Sequence, residues 1–187
     1  MNFPDALAAS PIAAAKRYPI LFTQPQGKSK GTVHLNADTA AWLSAHKPTK
    51  VWVLGGAAGA VPAGAAADVQ ALTASGAASS VTRLWGQTQY DTAIAINTDP
   101  TLTTTFNKTA TGAITVAVGT NFPDALAGGV FAAKKGAPLF LIAGKATKPN
   151  VNVETAIVNW RVAVVSNVYV FGGTGVLTDK AVALHLK

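Results

Sequence analysis

Short apolar runs alternate with segments whose apolar residues recur at helical spacing along most of this chain. The runs Val51–Leu54, 114–118 and 168–171 are rich in β-branched or aromatic residues and end at glycine or polar residues, which predicts buried strands. The segments between them carry helix-start residues and apolar positions three or four apart. A strict alternation of strand and helix predicts an α/β fold with parallel sheets.

The pattern predicts an element for most of the sequence. Helices are expected at 4–17, 37–45, 63–72, 90–96, 122–135 and 153–160 and from Thr178 onwards, and strands at 19–23, Val51–Leu54, Val81–Leu84, 114–118, 138–142 and 168–171. Asn36 is a typical N-cap, and Pro4 and Asp5 suit a first helical turn. Polar loops are expected at 24–31 and 98–112.

One seven-residue segment occurs twice. Residues 2–8, Asn-Phe-Pro-Asp-Ala-Leu-Ala, recur as residues 121–127, and an offset of 119 aligns the following helices without a gap. Further on, Val51–Leu54 corresponds to 168–171 at an offset of 117. Self-similarity over this length indicates duplication of a domain-sized unit. The predicted fold is a tandem of parallel-sheet, Rossmann-like repeat domains with helices on both faces.

The two copies differ in length. Residues 83–187 form a complete repeat, whereas residues 1–82 lack counterparts of the opening strand, the first helix and the strand before the heptamer. A sheet without one of its strands leaves backbone groups unpaired, so we expect the partial copy to need a partner. We therefore predict that the chain is part of a longer array and that it is an oligomer when isolated.

Charge and composition narrow the class of partner. The chain has 187 residues, 15 Lys and Arg against 8 Asp and Glu, and a net charge of +7, which favours attraction to polyanions. Nucleic acid is not expected, because the basic residues are not interleaved with aromatic stacking residues. No apolar run reaches the length of a membrane span, so we expect no membrane insertion. No leader is recognisable at Met1, so export is expected to depend on a removed leader or a longer parent protein.

No catalytic or metal-binding motif is recognisable. The glycines in residues 55–59 lack the order of a nucleotide-binding loop and are expected to form a tight turn. His34, His46 and His185 share no ligand spacing and are expected at the surface. No serine lies in a nucleophile elbow. We therefore expect no enzymatic activity, no cofactor and no bound metal.

Four motifs, in order, carry a resemblance to a known family. They are the heptamer, Pro-Ile-Leu-Phe at 19–22 or Pro-Leu-Phe-Leu at 138–141, Val-Leu-Gly-Gly-x-x-Gly-Ala-Val at 53–61, and Arg-Leu-Trp-Gly-x-x-x-Tyr-x-Thr-Ala at 83–93. Over nearly its whole length the chain resembles the type 2 cell-wall-binding repeats of Gram-positive surface proteins. It departs from them at Thr88 and Gln89, where the family motif usually has Asp-Arg, so a role of that helix in binding is weakened.

The resemblance implies a function. Such repeats usually come in threes and anchor proteins noncovalently to anionic secondary polymers of the cell wall. It implies an extracellular location at the wall or cell surface. The partners implied are an anionic wall polysaccharide or teichoic-acid-like polymer and further copies of the same repeat in cis or in trans. The alternative is a structural module that self-assembles into a surface layer or an oligomer.

Basic residues at matching points of the two copies are the best candidates for polymer contact. They lie at the ends of the helices that follow the heptamers and in the next loops: Lys16, Arg17, Lys28, Lys30, Lys134, Lys135, Lys145 and Lys148. Cations at helix C-termini also have a structural explanation in the helix dipole. The heptamers add Asn2, Asn121, Asp5 and Asp124, for which contact with polymer hydroxyls competes with roles in turns and helix starts. Trp42, Trp52 and Trp160 are expected in the core.

Overall fold

A computed structural model describes residues 3–23, 34–56, 61, 64–106, 112–161 and 167–186. The helices and strands follow one another along the chain as expected for an α/β protein. They are α1 (Pro4–Lys16), α2 (Ala37–His46), β1 (Val51–Leu54), α3 (Ala65–Ala71), β2 (Val81–Leu84), α4 (Gln89–Thr98), β3 (Ala113–Val118), α5 (Phe122–Lys135), β4 (Leu139–Ile142), α6 (Val151–Arg161), β5 (Asn167–Phe171) and α7 (Asp179–His185). Within these ranges no helix is long and apolar enough to cross a membrane.

Two compact units contain the described residues. The first unit is Leu21–Trp85, and the second combines Phe3–Ile20 with the chain from Gly86 onwards. Helix α1 therefore packs within the second unit although its sequence belongs to the first copy. Strand β2 lies in the first unit although its sequence opens the second copy. The repeat boundary between residues 82 and 83 is a property of the sequence duplication and stays a prediction.

The first unit is built on a parallel strand pair. β1 and β2 lie side by side, with Val51 opposite Val81 and Leu54 opposite Leu84. One face of the pair covers an apolar cluster of Leu35, Leu43, Val53, Val61, Ala65 and Val69. The N-terminus of α2 is capped as predicted, because the Asn36 side chain accepts a hydrogen bond from the Thr39 N–H at 2.8 Å.

The second unit contains a three-stranded parallel sheet in the order β4-β3-β5. Strand β3 is buried along its whole length, as expected of a central strand covered on both faces. Because β4 and β5 flank β3 on opposite sides, right-handed crossovers place α5 and α6 on opposite faces. On the α5 side, the Phe131 ring contacts Tyr169 at 4.7 Å and Phe171 at 5.4 Å. The predicted parallel α/β fold is confirmed.

Helices α1 and α5, which begin with the two heptamers, pack side by side and run parallel. The Phe3 and Phe122 rings meet edge-to-face at 5.3 Å. Seven residues further on, a methyl group added to Gly129 would collide with the Ser10 hydroxyl, so glycine allows the close approach. The hydroxyl of Ser10 donates to the Leu7 carbonyl at 2.7 Å. This hydrogen bond replaces the one that Pro11, which has no N–H, cannot provide within the helix.

One predicted strand is wrong. Residues 19–23 form no strand, although the equivalent residues of the second copy form β4. The physical reason lies in the partner: β4 is hydrogen-bonded to β3, and the first copy has no counterpart of β3. A strand is held by pairing with a neighbour, so an apolar run without one stays irregular.

Candidate functional site

Four predicted cations of the second unit lie at the same end of the α1–α5 helix pair. Because the helices run parallel, the cations at their C-termini lie at the same end of the pair. We call this region the basic end and define it as Lys16, Arg17, Lys134 and Lys135. α1 ends with Lys16 and is capped by Arg17, and α5 ends with Lys134 and Lys135. The negative ends of two helix dipoles favour these charges.

Two cations of the basic end, Lys16 and Lys135, contact neutral neighbours. The Lys16 ammonium donates to the Thr104 hydroxyl at 3.4 Å. The Lys135 ammonium lies 5.7 Å from the centre of the Phe131 ring and 5.9 Å from that of Tyr169, within the range of cation–π attraction. No described carboxylate lies within 4.0 Å of these ammonium groups. Their charge is therefore available to an external anion.

Arg17 has the left-handed backbone conformation that a glycine, Gly136, adopts at the equivalent position of α5. The two helices end at equivalent residues, Arg17 with φ 58° and Gly136 with φ 62°, and both N–H groups close the last helical turn. The left-handed region is unfavourable for residues with a Cβ atom. An arginine is therefore held at the basic end at some cost in backbone energy.

A second candidate region lies at the carboxyl edge of the three-stranded sheet. A pocket of about 460 Å³ opens there, and we call it the edge pocket. Its walls follow the ends of all three strands: Val118, Thr120, Asn121, Ala143, Gly144, Lys145, Ala146, Gly175 and Val176. Crevices at the carboxyl ends of parallel strands are common ligand sites. The only charged side chain in this lining is that of Lys145, so the pocket favours neutral or anionic groups.

The structure separates the predicted site residues into two groups. Asn121 and Lys145 line the edge pocket, whereas Lys134 and Lys135 lie at the other end of α5, about 20 Å away at 1.5 Å per residue. Lys148 is exposed in the loop between β4 and α6 and is not among the pocket residues. The other predicted residues Asn2, Lys28 and Lys30 lie outside the described residues.

The heptamer residues that the structure describes lie at the starts of α1 and α5. The Asn121 side chain makes no capping hydrogen bond at the start of α5. An Oδ atom of Asp124 lies 3.2 Å from the position that a Cβ atom on Gly172 would occupy. Asp5 lies in the first turn of α1, where burial raises the pKa of its carboxyl group.

Several residues that shape this edge were not predicted as site residues. Thr120, Gly144 and Val176 form pocket walls only because the strands preceding them lie in one sheet, with β3 between β4 and β5. Thr120 and Gly144 follow β3 and β4 by two residues, and this position after a strand is the sequence signal that could have identified them. Asp91 lies outside this lining, in the first turn of α4. Its carboxylate accepts from Asn152 Nδ2 at 2.8 Å, and this hydrogen bond, with others from Thr88, lowers the pKa of Asp91.

Of the three histidines predicted at the surface, His46 is exposed and His34 is partly exposed, but His185 is buried, so the prediction is wrong for His185. His185 is 1% exposed; its Nε2 accepts from the Asn150 N–H at 3.0 Å, so its Nδ1 carries the proton and donates to the Ala181 carbonyl. Its place in the packing of α7 buries it, which spacing does not reveal. His34 bonds to Asp68 at 3.0 Å. In the part of the chain that the structure describes, no three His, Cys, Asp or Glu side chains cluster as metal ligands.

The fold and these sites define a tandem α/β repeat protein with a basic surface. The chain belongs to the cell wall binding domain 2 (CWB2) family, whose family model matches residues 1–66 and 83–182. This confirms the resemblance and indicates a protein that binds the cell wall and is located at the wall or cell surface. The description of the family names binding to the cell wall and no reaction.

Solved structures share the fold. The chain is similar to Cwp6 from Clostridium difficile, with a TM-score of 0.69 and 21% identity over 97% of this chain and 25% of that one. It is also similar to Cwp8 from the same organism, with a TM-score of 0.63 and 19% identity over 97% of this chain and 27% of that one. The chain thus spans about a quarter of the length of these relatives. A comparison with curated protein sequences finds no match.

Proposed function

We propose that the chain anchors a protein noncovalently to the cell wall by binding an anionic wall polymer at the basic end. The observation that carries this proposal is the placement of four cations at the matched ends of two parallel helices without a nearby described carboxylate. A repeating polyanion contacts several such charges at once. The combined attraction then exceeds that of isolated surface cations.

The decisive experiment is sedimentation of the protein with isolated cell walls. Walls before and after acid stripping of their secondary polymer are compared, and we expect binding only to unstripped walls. Exposed attraction is screened over about 8 Å at physiological ionic strength, so half-molar salt should elute the protein. Equal binding to stripped walls, or binding indifferent to salt, would contradict the proposal.

Charge-reversal variants locate the polymer site. Lys134→Glu should weaken sedimentation with walls several-fold, whereas Lys180→Glu, an exposed and equally charged control on α7, should leave it nearly unchanged. Lys145→Glu tests the edge pocket separately. A loss confined to Lys145→Glu would move the polymer from the basic end to the edge pocket while leaving the anchoring function intact.

Self-assembly is the second candidate function, and an exposed apolar stripe favours it. Phe122, Leu126 and Val130 lie on one face of α5 and are all exposed. We name them the α5 stripe. The equivalent residues of α1 are covered by helices and a strand of the second unit. The same elements of a second copy of this chain would cover the α5 stripe in an oligomer. Light scattering should then show an oligomer that Leu126→Glu dissociates; a monomeric parent chain would exclude this function.

A further inference from the structure

Strands β1 and β5 are equivalent in the two copies but have different neighbours. Val51–Leu54 corresponds to residues 168–171, and the glycines that follow share an unusual backbone, with φ 111° at Gly55 and φ 131° at Gly172. β1 pairs with β2, whereas β5 pairs with β3 and ends its sheet. Among the described residues, the other edge of β5 has no strand beside it.

The open edge of β5 is the edge that β1 uses to bind β2. In the first unit the Gly55 N–H donates to the Leu84 carbonyl at 2.9 Å. In the second unit the Asn167 N–H donates to the Gly112 carbonyl of the β3 side at 2.9 Å. Since alternate residues of a strand point to the same neighbour, the N–H groups of Val168, Val170 and Gly172 point away from β3. These three are the equivalents of 51, 53 and 55.

An apolar side chain of β5, that of Val170, is exposed, whereas its equivalent in β1 is buried. Val53 is 5% exposed and belongs to the apolar cluster against which Val81 of β2 packs. Its equivalent, Val170, is 41% exposed. A strand in the place of β2 would remove this apolar surface from water, which is favourable.

A specific polar contact accompanies the pairing of β1 with β2. Arg83 of β2 donates from Nη1 to the Gly55 carbonyl at 2.8 Å. Gly172 presents the equivalent carbonyl after β5 with a similar φ angle. A hydrogen bond from a charged donor is stronger than a neutral one, so a strand placed beside β5 as β2 lies beside β1 would bind this carbonyl best with an arginine at its third position.

We propose that the outer edge of β5 binds the opening strand of a further repeat, in parallel and in the register of β1 with β2. The occupant has the sequence type Val-Thr-Arg-Leu, and its arginine binds the Gly172 carbonyl. Each repeat then completes the sheet of the preceding one, as β2 completes that of the first unit. This docking edge is independent of where the wall polymer binds.

An extended chain tests the proposal directly. A second copy of residues 71–86 is added after Lys187, which places the copied Val81 thirty residues after Val168, the distance that separates Val81 from Val51. Hydrogen exchange is measured on the parent and the extended chain. We expect exchange at Val168, Val170 and Gly172 to slow by about tenfold or more, since these amides gain hydrogen bonds. Amides of β3 should be unaffected and report that the second unit is folded.

Two controls separate specific docking from a general effect of the extension. Alanine in place of the copied Arg83 should remove most of the added protection, and Val170→Asp in the extended chain should remove it at all three amides. Val170 is partly exposed, so the same substitution in the parent chain should leave the melting temperature nearly unchanged. Unchanged exchange at the three amides on extension, or protection that survives both controls, would overturn the proposal.

Discussion

Helices α1 and α5 begin with the same seven residues and yet contribute differently to the structure. Leu7 on α1 is 6% exposed, whereas its equivalent Leu126 on α5 is 52% exposed. Pro4 and Ala8 are buried while Pro123 and Ala127 are exposed. Identical local sequence therefore yields one core helix and one helix with an apolar outer face.

The neighbours of the two helices explain the difference. α1 packs against α4, α5 and β4 of the second unit, so elements of the second copy bury a helix of the first. α5 covers its own sheet with one face and α1 with another, and no described element covers the α5 stripe. The heptamer of one copy is therefore buried by elements of the following copy. Contacts between neighbouring repeats of this kind are typical of a head-to-tail arrangement.

The largest expected effect separates the two leucines. Leu7→Ala should lower the free energy of unfolding by about 2–5 kcal/mol, because it leaves a cavity between α1 and its neighbours. Leu126→Ala should change it by no more than about 0.5 kcal/mol in a monomer. Chemical denaturation of both variants measures the two values. Equal losses would show that the α5 stripe is covered in solution.

A smaller effect is expected at the start of α5. Asp124→Ala should lower the free energy of unfolding by about 0.5–1 kcal/mol. The Asp124 carboxylate lies in the first turn of α5, where the positive end of the helix dipole stabilises its negative charge. Wall binding should fall only as far as folding does. A variant with an unchanged melting temperature that no longer sediments with walls would assign Asp124 to the ligand instead.

The sequence predicted correctly the features that depend on neighbouring residues in the chain, and it failed for features that depend on residues distant in the sequence. Helix caps such as Asn36 and buried runs such as β3 are local, and they were predicted correctly. The strand at 19–23 failed because pairing requires a distant partner. The burial of His185 depends likewise on tertiary packing. For the candidate sites, the sequence placed Lys134 and Lys135 at a helix end, but the walls of the edge pocket come from three separate strand ends and need the fold.

Asp5 of α1, the equivalent of Asp124 of α5, should make the stability of the protein depend on pH. Burial raises the pKa of Asp5 above the value of about 3.9 that it has in the unfolded chain, so between the two values the folded state binds more protons. Stability from this group therefore increases as pH falls from neutral through the raised pKa and is lost as pH rises. Asp5→Asn should remove this dependence and be at least as stable as the parent at neutral pH. Thermal melts from pH 7 to about pH 4 measure it; a stability difference between variant and parent that stays constant with pH would contradict it.

The smallest expected effect has the opposite sign and lies at the other end of the helices. Arg17 holds a left-handed conformation that Gly136 adopts without a Cβ atom, so Arg17→Gly should relieve backbone strain. Glycine also adds freedom to the unfolded chain, which leaves a net stabilisation of about 0.5 kcal/mol or less. Wall binding should weaken even so, because a cation of the basic end is lost. Arg17→Lys is the matched control, since it keeps both the charge and the strain and should retain binding. A glycine variant that is more stable and binds walls as well as the parent would show that the strained arginine has no part in anchoring.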